Sequence, residues 1–440
     1  MTDAKKSGSM SPELQKVETR AREYPGERIL SLAHRIDVPA LERAFHRRRK
    51  GAAVGVDGVT KSEYEQDLER RLQNLRGRLK TRSWRHQPIR RVHIPKGEGK
   101  TRPIGISCLE DKIVQDAIRE VLETIYEQDF LHCSYGFRPG RNAHDALRAL
   151  NQAVHQGGVQ WIIEADIVSF FDSLDRTRLK EMLRARVADE SLLRLVGKCL
   201  HVGVLDGEKY TEPEEGTAQG SVLSPLLGNV YLHHVLDLWF EHEIKPRLRG
   251  RAFLIRYADD FVIALENRWD AERVMAVLPK RMERFGLILH SEKTHLLAFN
   301  RPKKGEDRRC PVTFNFLGFT HYWRKNRGRG WWMWCKTRRA RQSRALRSID
   351  EYCRSHRHDS VKAQHAALVR RIKGHFNYFG VNGNLRSLKR LVEAIPHIWL
   401  KWLRRRSQRT RLNWERFSAL LKSYPLPVPR VSVQIWDTRS

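Results

Sequence analysis

Tyr257-Ala258-Asp259-Asp260 interrupts two apolar runs, Phe253-Leu254-Ile255-Arg256 before it and Phe261-Val262-Ile263-Ala264-Leu265 after it. Apolar and β-branched residues of this kind favour strand, and a short acidic break between two such runs is a hairpin signal. The stretch therefore reads as two antiparallel strands with a pair of carboxylates at the tip, clear of the core. Adjacent carboxylates repel each other, so folding gains nothing from the pair unless a cation neutralises it. A divalent metal is the economical explanation. The alternative is a plain turn, since Asp bonds its own neighbouring backbone and turns the chain locally.

Working outward, a chain of 440 residues can bury a sizeable core and form two or three domains or subdomains. Hydrophobic residues make up 40% of it, and 12 Trp with 16 Phe supply core and stacking groups, a globular rather than a disordered composition. No run of about 18 apolar residues occurs. Met1 to Met10 holds Lys5 and Lys6 with no apolar segment after them, so neither a membrane span nor a signal peptide is expected. The six cysteines (Cys108, Cys133, Cys199, Cys310, Cys335, Cys353) are scattered without paired spacing, which predicts reduced thiols in a cytoplasmic protein. Cys353, His356 and His358 form the one local Cys/His cluster in the sequence, and no second ligand pair stands at a zinc spacing.

The net charge of +32 is unevenly placed. From Arg301 to Ser440 there are 34 Lys/Arg against 8 Asp/Glu, whereas the first 300 residues hold 49 against 43. A surplus of this size repels itself unless a polyanion is present. Nucleic acid is the expected partner, with RNA and DNA undistinguished at this level.

Residues 1–25 are polar, rich in Ser, Lys and Pro, and are expected to fray. Between 27 and 80, Leu41, Ala44 and Phe45, then Tyr64, Leu68, Leu72 and Leu75 repeat at helical spacing, interrupted by the Gly-rich turn Gly51 to Gly58. Ile89 to Ile106 reads as two short strands around a basic loop, followed by a helix from Leu109 to Tyr126. Trp161 to Ile167 reads as a buried strand with Asp166 near its end. From Ser224, Leu226, Leu227, Val230, Tyr231, Val235 and Leu238 recur with helical period. Beyond Gly330 come three basic helices, Arg338–His356, Val361–Phe379 and Leu385–Arg406, the last expected to bend or divide at Pro396. Tyr424 to Pro429, with alternate prolines, should be extended.

Asp166 changes the reading of the hairpin. One strand end and one hairpin tip can bring Asp166, Asp259 and Asp260 together, and three converging carboxylates can hold two Mg²⁺ ions. In such a site, with ions about 3.5–4 Å apart, one ion activates an attacking 3′-oxygen and the other steadies a leaving pyrophosphate. Mg²⁺ keeps several waters and uses few carboxylates plus substrate phosphates, which suits so sparse a set. Mn²⁺ is a substitute. The plainer role for Asp166 is a helix N-cap.

These residues also carry a resemblance. Tyr257-Ala-Asp-Asp260 with Asp166, Gln219-Gly220, Thr101-Arg-Pro-Ile-Gly-Ile106 and Ser134-Tyr-Gly-Phe-Arg-Pro-Gly140 resembles a reverse transcriptase of the group II intron type, also called a maturase, in blocks that keep the family's order from residue 25 to 425. The resemblance implies an α+β right-hand polymerase: a frayed 1–25, fingers and palm over 26–325, a basic helical thumb over 326–403 and a basic nucleic-acid-binding extension over 404–440. Asp166, Asp259 and Asp260 match the catalytic metal ligands, and Ile167 is expected with them at the metal. Phe170 and Phe171 are both expected at the nucleotide, and Phe171 matches the bulky group that closes on the sugar 2′ position and favours dNTP. Arg102 and Lys96 match triphosphate ligands of the fingers loop, where Arg can form bidentate bonds. Gln219 matches a nucleotide contact in a loop of small residues, with Ala218 where the family more often has Pro. Lys293, in Leu287 to Thr294, matches a lysine that supports the triphosphate or protonates pyrophosphate, and Phe316-Leu317-Gly318-Phe319 resembles the primer grip. Arg371 to Gly380 resembles the thumb block. Arg138, Lys336, Arg338, Arg339, Arg371, Lys373, Arg404, Arg405 and Arg406 are the expected nucleic-acid contacts. Longer relatives append an endonuclease with Cys/His pairs. Nothing of that kind fits between Arg411 and Ser440, so no target cleavage is expected.

Three functions compete: an RNA-directed DNA polymerase that also binds its parent intron RNA and assists splicing and mobility, with RNA template, DNA primer, dNTPs, intron RNA and target DNA as its expected partners; a noncatalytic RNA-binding maturase; and a domesticated polymerase serving defence or repair. The three intact aspartates argue against the second.

Overall fold

The structure, a computed structural model, describes residues 10–97, 100–207, 209–211, 215–217, 220–302, 312–326, 330–407 and 412–436, by backbone alone at 95–97 and 100. It is a mixed α+β molecule. In chain order its strands are β1 (Ile89–Gly97), β2 (Lys100–Ile106), β3 (Trp161–Asp166), β4 (Val204–Asp206), β5 (Lys209–Thr211), β6 (Ala252–Tyr257), β7 (Asp260–Leu265), β8 (His295–Ala298), β9 (Phe314–Phe316), β10 (Phe319–Asn326) and β11 (Gly330–Thr337). They form three sheets, ordered β2-β1-β4-β5, β6-β7-β3-β8 and β11-β10-β9.

The second sheet is central and is buried on both faces. Ile163 and Ala165 of β3, Leu254 of β6, and Phe261, Ile263 and Leu265 of β7 enter one core. Their strand neighbours Ile162, Ile255, Val262 and Ala264 enter a second core on the opposite face. Successive side chains of a strand point to opposite faces, so double burial demands continuous apolar runs, as the sequence around the hairpin has. Helices Leu109–Asp129 and Ser224–Leu232 back the first face. Helix Ala143–Gln156 and strands β9–β11 cover the second.

Several expectations need correction. Pro12–Glu23 is a helix, capped by the Ser11 hydroxyl and burying Leu14, Val17 and Ala21, and not a frayed tail. Its apolar residues are few but fall on one stripe, which is enough to dock it; residues 1–9 lie outside the described residues. The helix from Ser224 does not stay α-helical, since His233–Asp237 and Trp239–Ile244 are π turns. Pro396 does not divide Leu385–Arg404, which runs through it unbroken. Ile395 and Trp399, both fully buried, pack the helix against its neighbours on either side of the proline, so tertiary packing offsets the lost hydrogen bond.

Helices Arg339–Ser355, Val361–Phe379, Leu385–Arg404 and Trp414–Ser423 share a third core around Leu368, Ile372, Leu391 and Trp399. The chain then returns. Val433 pairs with Val381, the Ile435 amide donates to Asn382 at 2.9 Å, and buried Ile435 joins the second core beside helix Ala143–Gln156. Residues 431–436 are therefore built into the body and are not a separate basic extension. Cys108, Cys133, Cys199, Cys335 and Cys353 are buried and unbridged; Cys310 lies outside the described residues. Among the described residues no helix is long and apolar enough to cross a membrane.

Candidate active site

Strands β3 and β7 pair antiparallel in a register that sets Asp166 directly opposite Asp260. Opposed residues of such a pair hold their Cβ atoms about 4.5–5.5 Å apart on one face. Asp166 therefore ends its strand against a second carboxylate and is not a helix cap. Strands β6 and β7 meet in a two-residue turn that closes with Tyr257 opposite Asp260. Ala258 in that turn is left-handed at φ +58°, and Asp259 follows it beside the pair.

The strand parity of Asp166 and Asp260 is that of Ile162, Val262 and Ala264, so both face the second-core side, towards the β9–β10 turn. There the Leu317 amide approaches the Asp260 carboxylate at 3.4 Å and the Asn315 amide donates to Glu164 at 3.0 Å. Burial pushes the Asp260 carboxyl up to about 7, helped by the charges of Asp166, Asp259 and Glu164 and opposed by the Leu317 amide. Asp259 is also raised by burial and by Asp166, with the positive charges of Arg102 and Arg256 acting the other way. The Lys293 ammonium lies 2.5 Å from Asp166. Carboxylates that resist ionising together are a group short of positive charge.

The donor chemistry fits a hard divalent cation: carboxylate oxygens, crowded and partly withdrawn from water. Among the described residues, however, no three His, Cys, Asp or Glu side chains stand as a ready-made cation cage. The arrangement is an opposed pair with a neighbour, and Lys293 is already on one member.

The remaining expected residues are placed as follows. Ile167 is buried and bridges to Leu289. Phe170, 3% exposed, is a core residue and not a nucleotide contact; its ring packs 5.1 Å from that of half-buried Phe171. The Thr217 amide donates to the Phe171 carbonyl at 2.6 Å, and a Cβ at left-handed Gly216 would meet the Asp172 carbonyl at 2.6 Å. Glycine is thus required where this loop crosses Phe171 and Asp172. Arg102 is exposed on β2, and its charge is felt at both Asp259 and Asp172. Lys96 (by its side chain) and Gln219 lie outside the described residues. A cavity of about 210 Å³ opens under the loop, lined by Arg91, Pro103, Gly105, Asp172, Thr217 and Val204 among others.

The expected nucleic-acid contacts divide. Arg338, Arg339, Arg371 and Lys373 are exposed at or along the C-terminal helices, with Arg371 4.5 Å over the Tyr352 ring, and Lys336 lies 5.1 Å over Tyr322. Arg138 is different. It is 7% exposed and donates to Glu127 and to the carbonyls of Leu131 and Ser134, so it braces its own loop. Arg404 donates to the Leu412 carbonyl and Arg406 to that of Asp359, while Arg405 stacks on Trp402.

One group was not anticipated. Arg256, fully buried, pairs with fully buried Asp237 and also reaches Asn229, Ser134 and the Ala258 carbonyl. The signal was in the sequence: an arginine inside an apolar strand requires a buried partner.

Residues 94–321 match the family described as reverse transcriptase (RNA-dependent DNA polymerase). Protein YkfC of Escherichia coli K12 is 36% identical over 247 residues, half of this chain and 65% of that protein. The group II intron-encoded protein LtrA of Lactococcus lactis is 31% identical over 260 residues, 59% of this chain and 38% of that protein. Nuclear intron maturase 2 of Arabidopsis thaliana is 29% identical over 180 residues, 32% of this chain and 24% of that protein. The chain thus spans about two thirds or less of each of these relatives. Matched segment, motif order and strand register agree: the chain belongs to the reverse transcriptase family, with that family's right-hand polymerase fold, and is similar to group II intron-encoded proteins and intron maturases within it.

Proposed function

We infer that the protein extends a DNA primer on an RNA template by two-metal nucleotidyl transfer, and that it binds intron RNA to assist splicing and mobility. The observation that carries the reading is the register placing Asp166 opposite Asp260 with Asp259 in the adjoining turn. Two Mg²⁺ ions held there would supply the charge that steadies the attacking and leaving oxygens. Asp166, Asp259 and Asp260 hold them, and the carboxylate repulsion described above supports the assignment.

The protein's own groups do the rest. Lys293 leaves Asp166 for the triphosphate, Arg102 meets the phosphates from β2, and Phe171 stands against the sugar. In this reading the first sheet belongs to the fingers, the central sheet is the palm, and the helices from Arg339 onward form the thumb, with Arg338, Arg339, Arg371 and Lys373 facing the duplex.

The test is primer extension on an RNA template with and without Mg²⁺. Asp259→Ala should lower the rate by roughly 10³-fold or more, the scale expected when several kcal/mol of charge stabilisation are lost. Extension by this variant at the normal rate would overturn the site.

A further inference from the structure

Arg256 lies inside β6, one residue before the Tyr257-Ala258-Asp259-Asp260 turn, with its guanidinium fully withdrawn from solvent. Each nitrogen has a partner. Nε and Nη2 donate to the two Asp237 oxygens at 2.7 and 2.5 Å, Nη2 also to the Ser134 hydroxyl at 2.8 Å, and Nη1 to Asn229 Oδ1 at 2.9 Å and the Ala258 carbonyl at 3.1 Å. Asn229 in turn donates to the Gly136 carbonyl at 2.7 Å. The backbone of Arg256 is tied on its other edge, receiving the Tyr135 amide at 2.9 Å and donating to the Cys133 carbonyl at 2.8 Å.

Two features show that this network is aimed at the turn. Ala258 is left-handed at φ +58° without being glycine, a conformation that persists only where the surroundings over-determine it. Gly136 packs so closely on the turn that a Cβ there would collide with the Ala258 amide nitrogen. The helix opposite is shaped for the same contact. Eight residues of regular α-helix would carry Asp237 about 80° round from Asn229; the π turns His233–Asp237 rotate less per residue and leave both side chains on Arg256. A buried ion pair adds little net stability over an apolar pair of the same volume, because desolvating both charges offsets their attraction. What it adds here is a fixed donor direction.

We propose that Arg256, held by Asp237, Asn229 and Ser134, is a positioning residue that fixes the Ala258 carbonyl and thereby sets Asp259 for cation binding. The inference rests on the reading of Asp166, Asp259 and Asp260 as metal-binding carboxylates. Arg256 itself touches neither metal nor substrate.

The test measures metal binding apart from turnover, with Tb³⁺ luminescence as the probe and Asp259→Ala as the background. The paired variant Arg256→Gln with Asp237→Asn replaces the ion pair by neutral amides and avoids a stranded buried charge. Its Tb³⁺ affinity should fall by about tenfold or more, the usual effect of removing a group that orients a metal ligand. Half-saturating Mg²⁺ for primer extension should rise in step, with kcat largely restored at high Mg²⁺. Ser134→Ala removes one support without disturbing the charges and should produce a smaller shift in the same direction, which keeps the test available if the paired variant does not fold. Folded variants with wild-type Tb³⁺ affinity and Mg²⁺ dependence would overturn the inference while leaving the carboxylate site standing. A wild-type protein whose Tb³⁺ signal is indifferent to Asp259→Ala would overturn both.

Discussion

At the scale of single residues, the neighbours Phe170 and Phe171 separate packing from function. Both rings follow Asp166, yet Phe170 is sealed in the first core and Phe171 is half exposed above it. Gly228 packs against both, a Cβ there meeting Phe170 at 2.9 Å and Phe171 at 3.2 Å, so the pair has little freedom to exchange places. Phe170→Ala should therefore cost about 3–5 kcal/mol of stability through the cavity it leaves, read as a lowered unfolding midpoint. Phe171→Ala should cost less and act on selectivity. With the ring removed, ribonucleotide incorporation relative to deoxyribonucleotide should rise about 10- to 100-fold, the range a single steric contact provides, measured in single-nucleotide extension with matched dNTP and rNTP. Unchanged selectivity would remove Phe171 from the sugar site. The sequence distinguishes these residues only by spacing, since burial depends on which face of the loop the helix bearing Gly228 covers. Asp259 and Asp260 were legible because adjacent charge in an apolar context is locally visible. Their convergence with Asp166 was expected from a strand end meeting a hairpin tip, but the direct opposition of Asp166 and Asp260 was not, because β3 and β7 are joined across nearly a hundred residues and only the register sets those two carboxylates face to face.

At the scale of elements, the junction between β11 and the C-terminal helices depends on one side chain. Asn384, fully buried at the start of helix Leu385–Arg404, accepts the Thr337 amide at 2.8 Å and donates to the Thr337 hydroxyl and the Phe379 carbonyl, both at 2.8 Å. It ties the strand end, the preceding helix end and the next helix start together. Asn384→Ala leaves those groups buried without partners, at about 1–3 kcal/mol for each one unsatisfied. The expected result is a lowered unfolding midpoint with faster hydrogen exchange at 337–339 and 379–385, and exchange unchanged from wild type would show that the junction holds without it. Helix Val361–Phe379 was readable as a basic helical stretch from local composition, and its bounds agree. Three features were not. Helix Pro12–Glu23 has too few apolar residues to stand out from its polar composition, the π turns conserve the apolar period closely enough to read as α, and the return of 431–436 is a long-range pairing with no local pattern.

At the scale of the whole molecule, the basic surplus and the fold cannot be cut apart. The last third supplies β11, Val381 and Ile435 to the second core, which also holds the back of the central sheet. Deleting residues 331–440 would thus expose that core and confound loss of charge with loss of structure. Substitution is the cleaner probe, and the structure sorts the cations for it. Arg404 and Arg406 bond backbone carbonyls of neighbouring segments, so their replacement should act mainly on stability. Arg338, Arg339, Arg371 and Lys373 are exposed and are the groups that a polyanion lying along these helices would meet. Each phosphate neutralised releases counterions and contributes about 0.7–0.9 to the slope of log affinity against log salt. Changing all four to Gln should therefore reduce the magnitude of that slope by roughly 3, with weaker binding at low salt and little change in the unfolding midpoint. Sequence preference should stay as it was, because phosphate contacts position a nucleic acid without reading its bases. A wild-type slope in the fourfold variant would place the RNA on another face of the molecule.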